Sequence, residues 1–372
     1  MEAHTVYTPR TQNDRNGCLM NGNVKPHIAS LSVVTPPFVL DQAQSLEHLL
    51  RYYSGKLKPR SLSIIRRLFA HPGIMTRHFA IDDVDSFLTE SPDGRIARFN
   101  RWSVELSEKA ILNALANAGL TVNSMTGLVV NTCTGYICPG ISTYLIEKLG
   151  LRRDMKVYDL VGSGCGGAIP NLEVAGSMLK NSAEGVVISV SVEICSATFQ
   201  MGDDLSLLIS NALFGDGASA AVLWNRPSGL ELIASASYYV PEDRDAIRYV
   251  HKNGQLHNQL STKLDDLVRK AVSQVIVKLL EPVSLSVADI KHWAVHTGGE
   301  KIISAVKDEI GLSETQLYST RKILAEYGNM SSPTVWFVLN EILKEGIESG
   351  EWCVMVAFGA GLSAHAYLLR KS

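Results

Sequence analysis

The stretch Lys156-Val-Tyr-Asp-Leu-Val-Gly-Ser-Gly-Cys-Gly-Gly-Ala-Ile-Pro170 changes character halfway along. Val157 to Val161 is short and mostly apolar and predicts a buried strand, which Gly162, Ser163 and Gly164 then break. Beyond Cys165, apolar or small residues recur at Ala168, Ile169, Leu172, Ala175, Gly176 and Leu179, which is helical spacing. Cys165 is therefore expected at or just inside a helix N-terminus. Pro170 falls in the first turn or so, where its missing N–H costs little. There the positive end of the helix dipole and the unpaired first-turn N–H groups favour a thiolate, the nucleophile that acyl transfer needs. The flanking glycines let the chain turn sharply and a substrate come close. Taken alone, such a cysteine reads rather as a small buried residue in a glycine-rich packing turn.

Two further motifs shift that balance: His296-Thr-Gly-Gly299 and Gly328-Asn-Met-Ser-Ser332. His296 follows the apolar strand Trp293-Ala-Val295 and precedes a helix, and Asn329 opens the next helical run. Element ends of this kind expose functional side chains on a rigid frame. A Cys, a His and an Asn supply a nucleophile, a general base and an orienting or oxyanion-binding amide. Singly, His296 could end a strand and Asn329 could be an ordinary helix cap.

Together with Leu213-Phe-Gly-Asp-Gly217, Tyr327-Gly-Asn-Met-Ser-Ser332, Phe358-Gly-Ala-Gly361 and the looser match Thr76-Arg-His-Phe79, these motifs stand in the order found in type III polyketide synthases. The chain resembles that family, the chalcone synthase-like branch of the thiolase fold. The variants Thr297 and Ala360, at positions where plant members carry proline, suggest a bacterial enzyme. The resemblance implies an α/β fold of five layers, α-β-α-β-α, made of two pseudo-symmetric halves. An internal repeat supports it: residues 127–133 resemble 292–298, Gly-Cys-Gly-Gly parallels Gly-Asn-Met-Ser-Ser, and Gly-Asp-Gly-Ala before a strand parallels Gly-Ala-Gly-Leu before a strand. The division is expected near residue 230, after a flexible arm at 1–24, giving halves at 25–230 and 231–372.

Composition sets outer bounds. With 372 residues, 46% hydrophobic, the chain can bury a large core, and a net charge of −2 argues against bulk nucleic-acid binding. No run of about 18 apolar residues predicts a membrane span. Six cysteines without Cys-x-x-Cys spacing give no metal motif and, with a reactive thiol, fit a reducing cytoplasm. Cys195 and Cys353 read as core. Along the chain, Asp41 to Leu57 and Ile96 to Leu120 read as helices. Gly215-Asp-Gly217 reads as a turn feeding a strand, and Val240 to His257 as irregular.

The resemblance also assigns roles. Cys165, paired with His296, would take an acyl-CoA starter as a thioester. His296 and Asn329 would bind the thioester carbonyl of malonyl-CoA and stabilise the enolate left as carbon dioxide departs. The enolate would attack the acyl group, and after further rounds the chain would cyclise to a pyrone or phenolic ring. Phe214 would gate the passage between a coenzyme A tunnel and the cavity. Cys133 and Thr134 would line the cavity, and Cys138 would border the neighbouring subunit's pocket in a homodimer. Asn258 stands near where a second gating Phe is common, so the rim would be more polar. Gly299 and Lys301 would face the coenzyme A, with Lys301 equally an exposed helix lysine, and Arg67 would clamp its phosphates or lie on a solvated helix face. No metal or redox cofactor is implied, coenzyme A thioesters being substrates, and a carrier protein is possible but not required.

Two other readings stand beside this one. A ketoacyl synthase III-like enzyme would share the Cys, His and Asn but condense once, onto carrier-bound malonate; such enzymes usually continue His-x-x-Asn where this chain has His-Thr-Gly-Gly. A hydroxymethylglutaryl synthase would need a glutamate base within 131–135, which is missing. A non-catalytic partner subunit would typically have lost the Cys.

Overall fold

A computed structural model describes residues 25–180 and 184–372. The arm expected at 1–24, with Cys18, lies outside the described residues. The first half comprises β1 (His27–Val34), β2 (Phe38–Asp41), α1 (Gln42–Tyr53), α2 (Pro59–Phe69), β3 (Thr76–Phe79), α3 (Val84–Thr89), α4 (Pro92–Asn117), β4 (Gly127–Asn131), α5 (Ile141–Leu149), β5 (Lys156–Leu160), α6 (Ala168–Met178), β6 (Val186–Ile194), α7 (Leu205–Leu213) and β7 (Asp216–Trp224). The second comprises β8 (Leu230–Tyr239), β9 (Ile247–Lys252), β10 (Gln255–Leu260), α8 (Leu264–Leu280), β11 (His292–Val295), α9 (Glu300–Ile310), α10 (Tyr318–Tyr327), α11 (Thr334–Glu345), β12 (Trp352–Gly359) and β13 (Ser363–Lys371).

The strands β5-β4-β6-β7-β1 and β8-β13-β12-β11 form two half-sheets. They join edge to edge only where His27 and Ile28 pair with Glu231 and Leu230. The repeat seen in the sequence becomes β4 and β11, each followed by a parallel neighbour, and the antiparallel pairs β6–β7 and β12–β13. Because strand side chains alternate between faces, each central strand feeds two cores. Cys353, Met355 and Ala357 of β12 pack inward on α6 and α11, while Val354, Val356 and Phe358 pack outward on α8 and α9. On β7, Ala221 and Leu223 face α6 and α11, whereas Ala218, Ala220 and Val222 face α4. The layers are therefore α4/α5, sheet, α6/α11, sheet, α8/α9: the five-layer thiolase arrangement. Most of each middle helix is buried between the sheets, α6 leaving Glu173 and Ser177 exposed and α11 ending in Lys344 and Glu345; Trp336 of α11 is fully buried.

Three local expectations are corrected. β5 is an exposed sheet edge, with Tyr158 47% and the following Val161 60% accessible, because no strand among the described residues lies beyond it. Asp216 and Gly217 are not a turn but the start of β7, paired with Ile194 and Glu193. Residues 247–260 form a hairpin, β9–β10, whose polar alternation concealed its strand character. Cys195 and Cys353 are buried.

The nucleophile turn is held by backbone contact across the halves. A Cβ added at Gly359, at the end of β12, would lie 2.2 Å from the Ser163 carbonyl oxygen and 2.5 Å from the Gly166 nitrogen. Gly359→Ala is expected to cost ~1–3 kcal/mol through forced backbone movement and to lower the calorimetric unfolding midpoint; an unchanged midpoint would contradict this close approach.

Candidate active site

Cys165 sits in a single 3-10 turn, Gly164–Gly166, two residues before the α6 N-cap Gly167. Gly164 takes φ +55°, a left-handed value glycine adopts freely. His296 follows β11 directly, its N–H donating to the Val356 carbonyl at 2.9 Å. Asn329 does not open a helix as expected. It lies in the extended link between α10 and α11 and bridges to Phe214: its N–H donates to Leu213 O at 2.9 Å, and its carbonyl accepts from Gly215 N at 3.0 Å. The Asn329 side-chain oxygen accepts from Ser331 N at 2.7 Å, which turns the amide NH2 into the available donor.

All three side chains line one pocket, walled also by Cys133, Phe214, Asn258 and Phe358. Cys165 contributes a sulfur to its wall. His296 is 1% exposed, yet neither ring nitrogen has a hydrogen-bond partner among the described residues. A buried polar group left unpaired in this way commonly marks a place where a ligand completes the bonding. The Phe358 ring meets the imidazole edge-on at 5.2 Å.

The electrostatics differ from the expectation of a resting thiolate. Burial pushes the Cys165 thiol up to about 12, a rise that the Glu193 charge increases and the Ser331 hydroxyl opposes. Burial also pushes the His296 imidazolium down to about 3. Desolvation outweighs the helix N-terminus here, since α6 proper begins three residues later. Burial thus favours the uncharged forms of both groups in this pocket, and a neutral His296 can accept a proton.

Sequence reading missed Glu193. This carboxylate ends β6 fully buried. It accepts from Cys133 N at 2.9 Å, Thr134 N at 3.0 Å, Thr134 Oγ1 at 2.8 Å and Ser332 Oγ at 2.7 Å. Burial still holds its pKa above the ordinary carboxylate value. Ser331, at an unusual φ of +59°, stands between this group and the sulfurs: its hydroxyl donates to Cys165 Sγ at 3.3 Å and lies 3.2 Å from Cys133 Sγ. The available signal was a lone acid in a strand that is otherwise uncharged and continuously buried.

The remaining candidates fall in different places. Thr134 lies beneath the pocket, its hydroxyl committed to Glu193 and Ile194 N. Cys138 is exposed, away from the pocket. A second cavity, with about 1250 Å³ of empty space, opens from α7 and α9 towards the surface. It shares Leu213, Leu260, Leu264 and Gly298 with the reaction pocket, so the two meet along that wall. Gly299, at φ +105°, and Lys301 line it, with Lys301 Nζ paired to Asp265 at 2.8 Å. Arg67 is exposed on α2 and does not line it; Leu68, rotated about 100° further round the helix, does.

A partly exposed cysteine with a buried histidine and asparagine, at the ends of β-strands and middle-layer helices, is the arrangement of a thiolase-fold condensing enzyme. The chain belongs to the type III polyketide synthase family: the family described as "FAE1/Type III polyketide synthase-like protein" matches residues 41–240, and "Chalcone and stilbene synthases, C-terminal domain" matches 231–372. The 3,5-dihydroxyphenylacetyl-CoA synthase of Streptomyces toyocaensis is 29% identical over 320 residues, 82% of each chain. PKS-I of the brown alga Ectocarpus siliculosus superposes with a TM-score of 0.86 at 25% identity, covering 95% of this chain and 100% of its own. The 1,3,6,8-tetrahydroxynaphthalene synthase of Streptomyces coelicolor A3(2) shares the fold, with a TM-score of 0.84 at 24% identity over 94% of this chain and 99% of its own.

The neutral His296 carries a pH signature. Its folded-state value lies below the unfolded one, so its contribution to stability is complete above about pH 6.5 and is lost as the pH falls towards 3. Between pH 7 and pH 5 the wild type should lose ~2 kcal/mol that His296→Gln does not. Urea unfolding of both proteins at the two pH values checks this; equal losses would refute a buried neutral imidazole.

Proposed function

We propose that this polyketide synthase joins an acyl-CoA starter to malonyl-CoA by decarboxylative Claisen condensation, an acyltransferase reaction. The observation that carries the reading is the convergence of Cys165, His296 and Asn329 in one buried pocket that meets a surface cavity along a shared wall. His296 takes the thiol proton as the sulfur attacks the starter carbonyl, and coenzyme A leaves with a proton as the Cys165 thioester forms. The malonyl thioester carbonyl then lies against the unpaired imidazole and the Asn329 NH2. As the carboxylate C–C bond breaks, its electron pair moves into the enolate that these donors stabilise. The enolate carbon attacks the Cys165 acyl carbonyl, the sulfur departs, and the lengthened chain returns to coenzyme A or re-enters the cycle before ring closure to a pyrone or phenol. The balance requires only coenzyme A thioesters.

Lys301 at the cavity wall suits a phosphate group, its pairing with Asp265 being solvent-exposed on the lysine side and cheaply exchanged. We further infer a homodimer. The open edge of β5, with Tyr158 and Val161 accessible and Tyr136 77% exposed, offers unpaired backbone and apolar surface to a second copy. Among the described residues no helix is long and apolar enough to cross a membrane; a reducing cytoplasmic setting would keep the free thiols reduced.

Incubation with a panel of acyl-CoA starters and malonyl-CoA, read by mass spectrometry, tests the reading. Product from malonyl-CoA without carrier protein is expected; product only from malonyl carrier protein would favour the single-condensation alternative. Cys165→Ala should abolish the acyl-enzyme and all product. Asn329→Ala should slow carbon dioxide release ~10²-fold or more while acylation of Cys165 continues; equal loss of both would remove Asn329 from the enolate step.

A further inference from the structure

The motif Thr76-Arg-His-Phe79 has no role in the chemistry above, yet β3 lies against both the Phe214 and the Asn329 segments. Arg77 is 2% exposed. Its guanidinium is flanked by the rings of Phe69 and Phe79, at 5.4 and 5.0 Å, and bonds only to neutral groups. Nε donates to Gln42 Oε1 at 3.1 Å, and Nη1 donates to Asn211 O at 2.7 Å and Phe214 O at 2.9 Å.

Helix C-termini leave carbonyls without intrahelical partners. At the end of α7 each of these can be followed to its donor. Asn211 O and Phe214 O take Arg77, Ala212 O takes Gln42 Nε2 at 3.1 Å, and Leu213 O takes the Asn329 N–H. One end of this arrangement carries the Phe214 ring into the reaction pocket and the other carries the Asn329 amide. The stem of Arg77 runs under the second end as well: a Cβ at Gly328 would lie 3.0 Å from Arg77 Cγ. Thr76 Oγ1 adds a bond to Glu326 O at 2.6 Å.

We propose that Arg77 is a positioning residue that locks Phe214 and the Asn329 amide into one fixed relation, and so sets the rate of malonyl decarboxylation without touching substrate. The proposal rests on the condensing reaction above. The planar fork is essential to it, since one flat group must reach acceptors on α1 and on α7 together. A lysine keeps the charge but cannot span them.

Two steps are measured separately: acylation of Cys165 by a starter acyl-CoA, by rapid quench and intact mass, and carbon dioxide release at saturating malonyl-CoA. Arg77→Lys should lower the second at least ~10-fold, the scale of a sub-ångström misplacement, and leave the first within ~2-fold. Gln42→Leu, which removes one support of Arg77 and the donor to Ala212 O, should give the same split at smaller size. Parallel loss of both steps, or no loss, overturns the proposal. Should Arg77→Lys fail to fold, the Gln42→Leu result decides: a split supports the proposal and its absence rejects it. Wild-type protein that neither acylates nor releases carbon dioxide would instead overturn the condensing reaction itself.

Discussion

The burial of α6 and α11 between two sheets governs the placement of everything else. The buried apolar residues of both helices pack against strands of both halves. A polar segment leads into each of them, the Cys165 turn after β5 in one case and the Asn329 link after α10 in the other. Close packing of the helices then leaves little freedom in how the Cys165 turn and the Asn329 link meet. The nucleophile turn lies against β12 so closely that Gly359 has no room for a side chain. The third group, His296, comes off β11, hydrogen-bonded to β12 at Val356. Three residues far apart in sequence thus reach one pocket because the layers that carry them share one core.

The same burial dictates the chemistry. Removing water from the pocket disfavours the charged forms of both Cys165 and His296. The cost of forming an ion pair in such a place is high until a substrate supplies compensating interactions. Glu193 shows the converse: a carboxylate at zero exposure persists because two backbone N–H groups and several hydroxyls converge on it. By doing so it orders the 132–134 turn and the Ser331–Ser332 segment, the two stretches that flank the sulfur.

Much of this is legible in the amino-acid sequence. The helical spacing after Cys165, the repeat between 127–133 and 292–298, and the three glycine-flanked polar residues point to the layered fold and to the trio that shares the pocket. The exposed edge of β5 is not legible there, because whether a short apolar strand is covered depends on its neighbours. The β9–β10 hairpin escapes because polar residues at both faces erase the period-two signal. Arg67 and Thr134 illustrate a further limit: a motif places a residue within a few ångströms, and helix rotation or a competing hydrogen bond then decides whether it faces the pocket.

The sequence by itself determined the class of protein, through motifs in the order of a known family and an internal repeat of strand–turn–helix units, with a sulfur, an imidazole and an amide at element ends. Only the tertiary structure decided protonation, reach and support. The thiol and imidazole are neutral because of what surrounds them, Glu193 matters because of which donors gather on it, and Arg77 ties α7 to Asn329 through backbone carbonyls. Desolvation and backbone pairing at such distances are properties of the assembled layers, and residue spacing does not encode them directly.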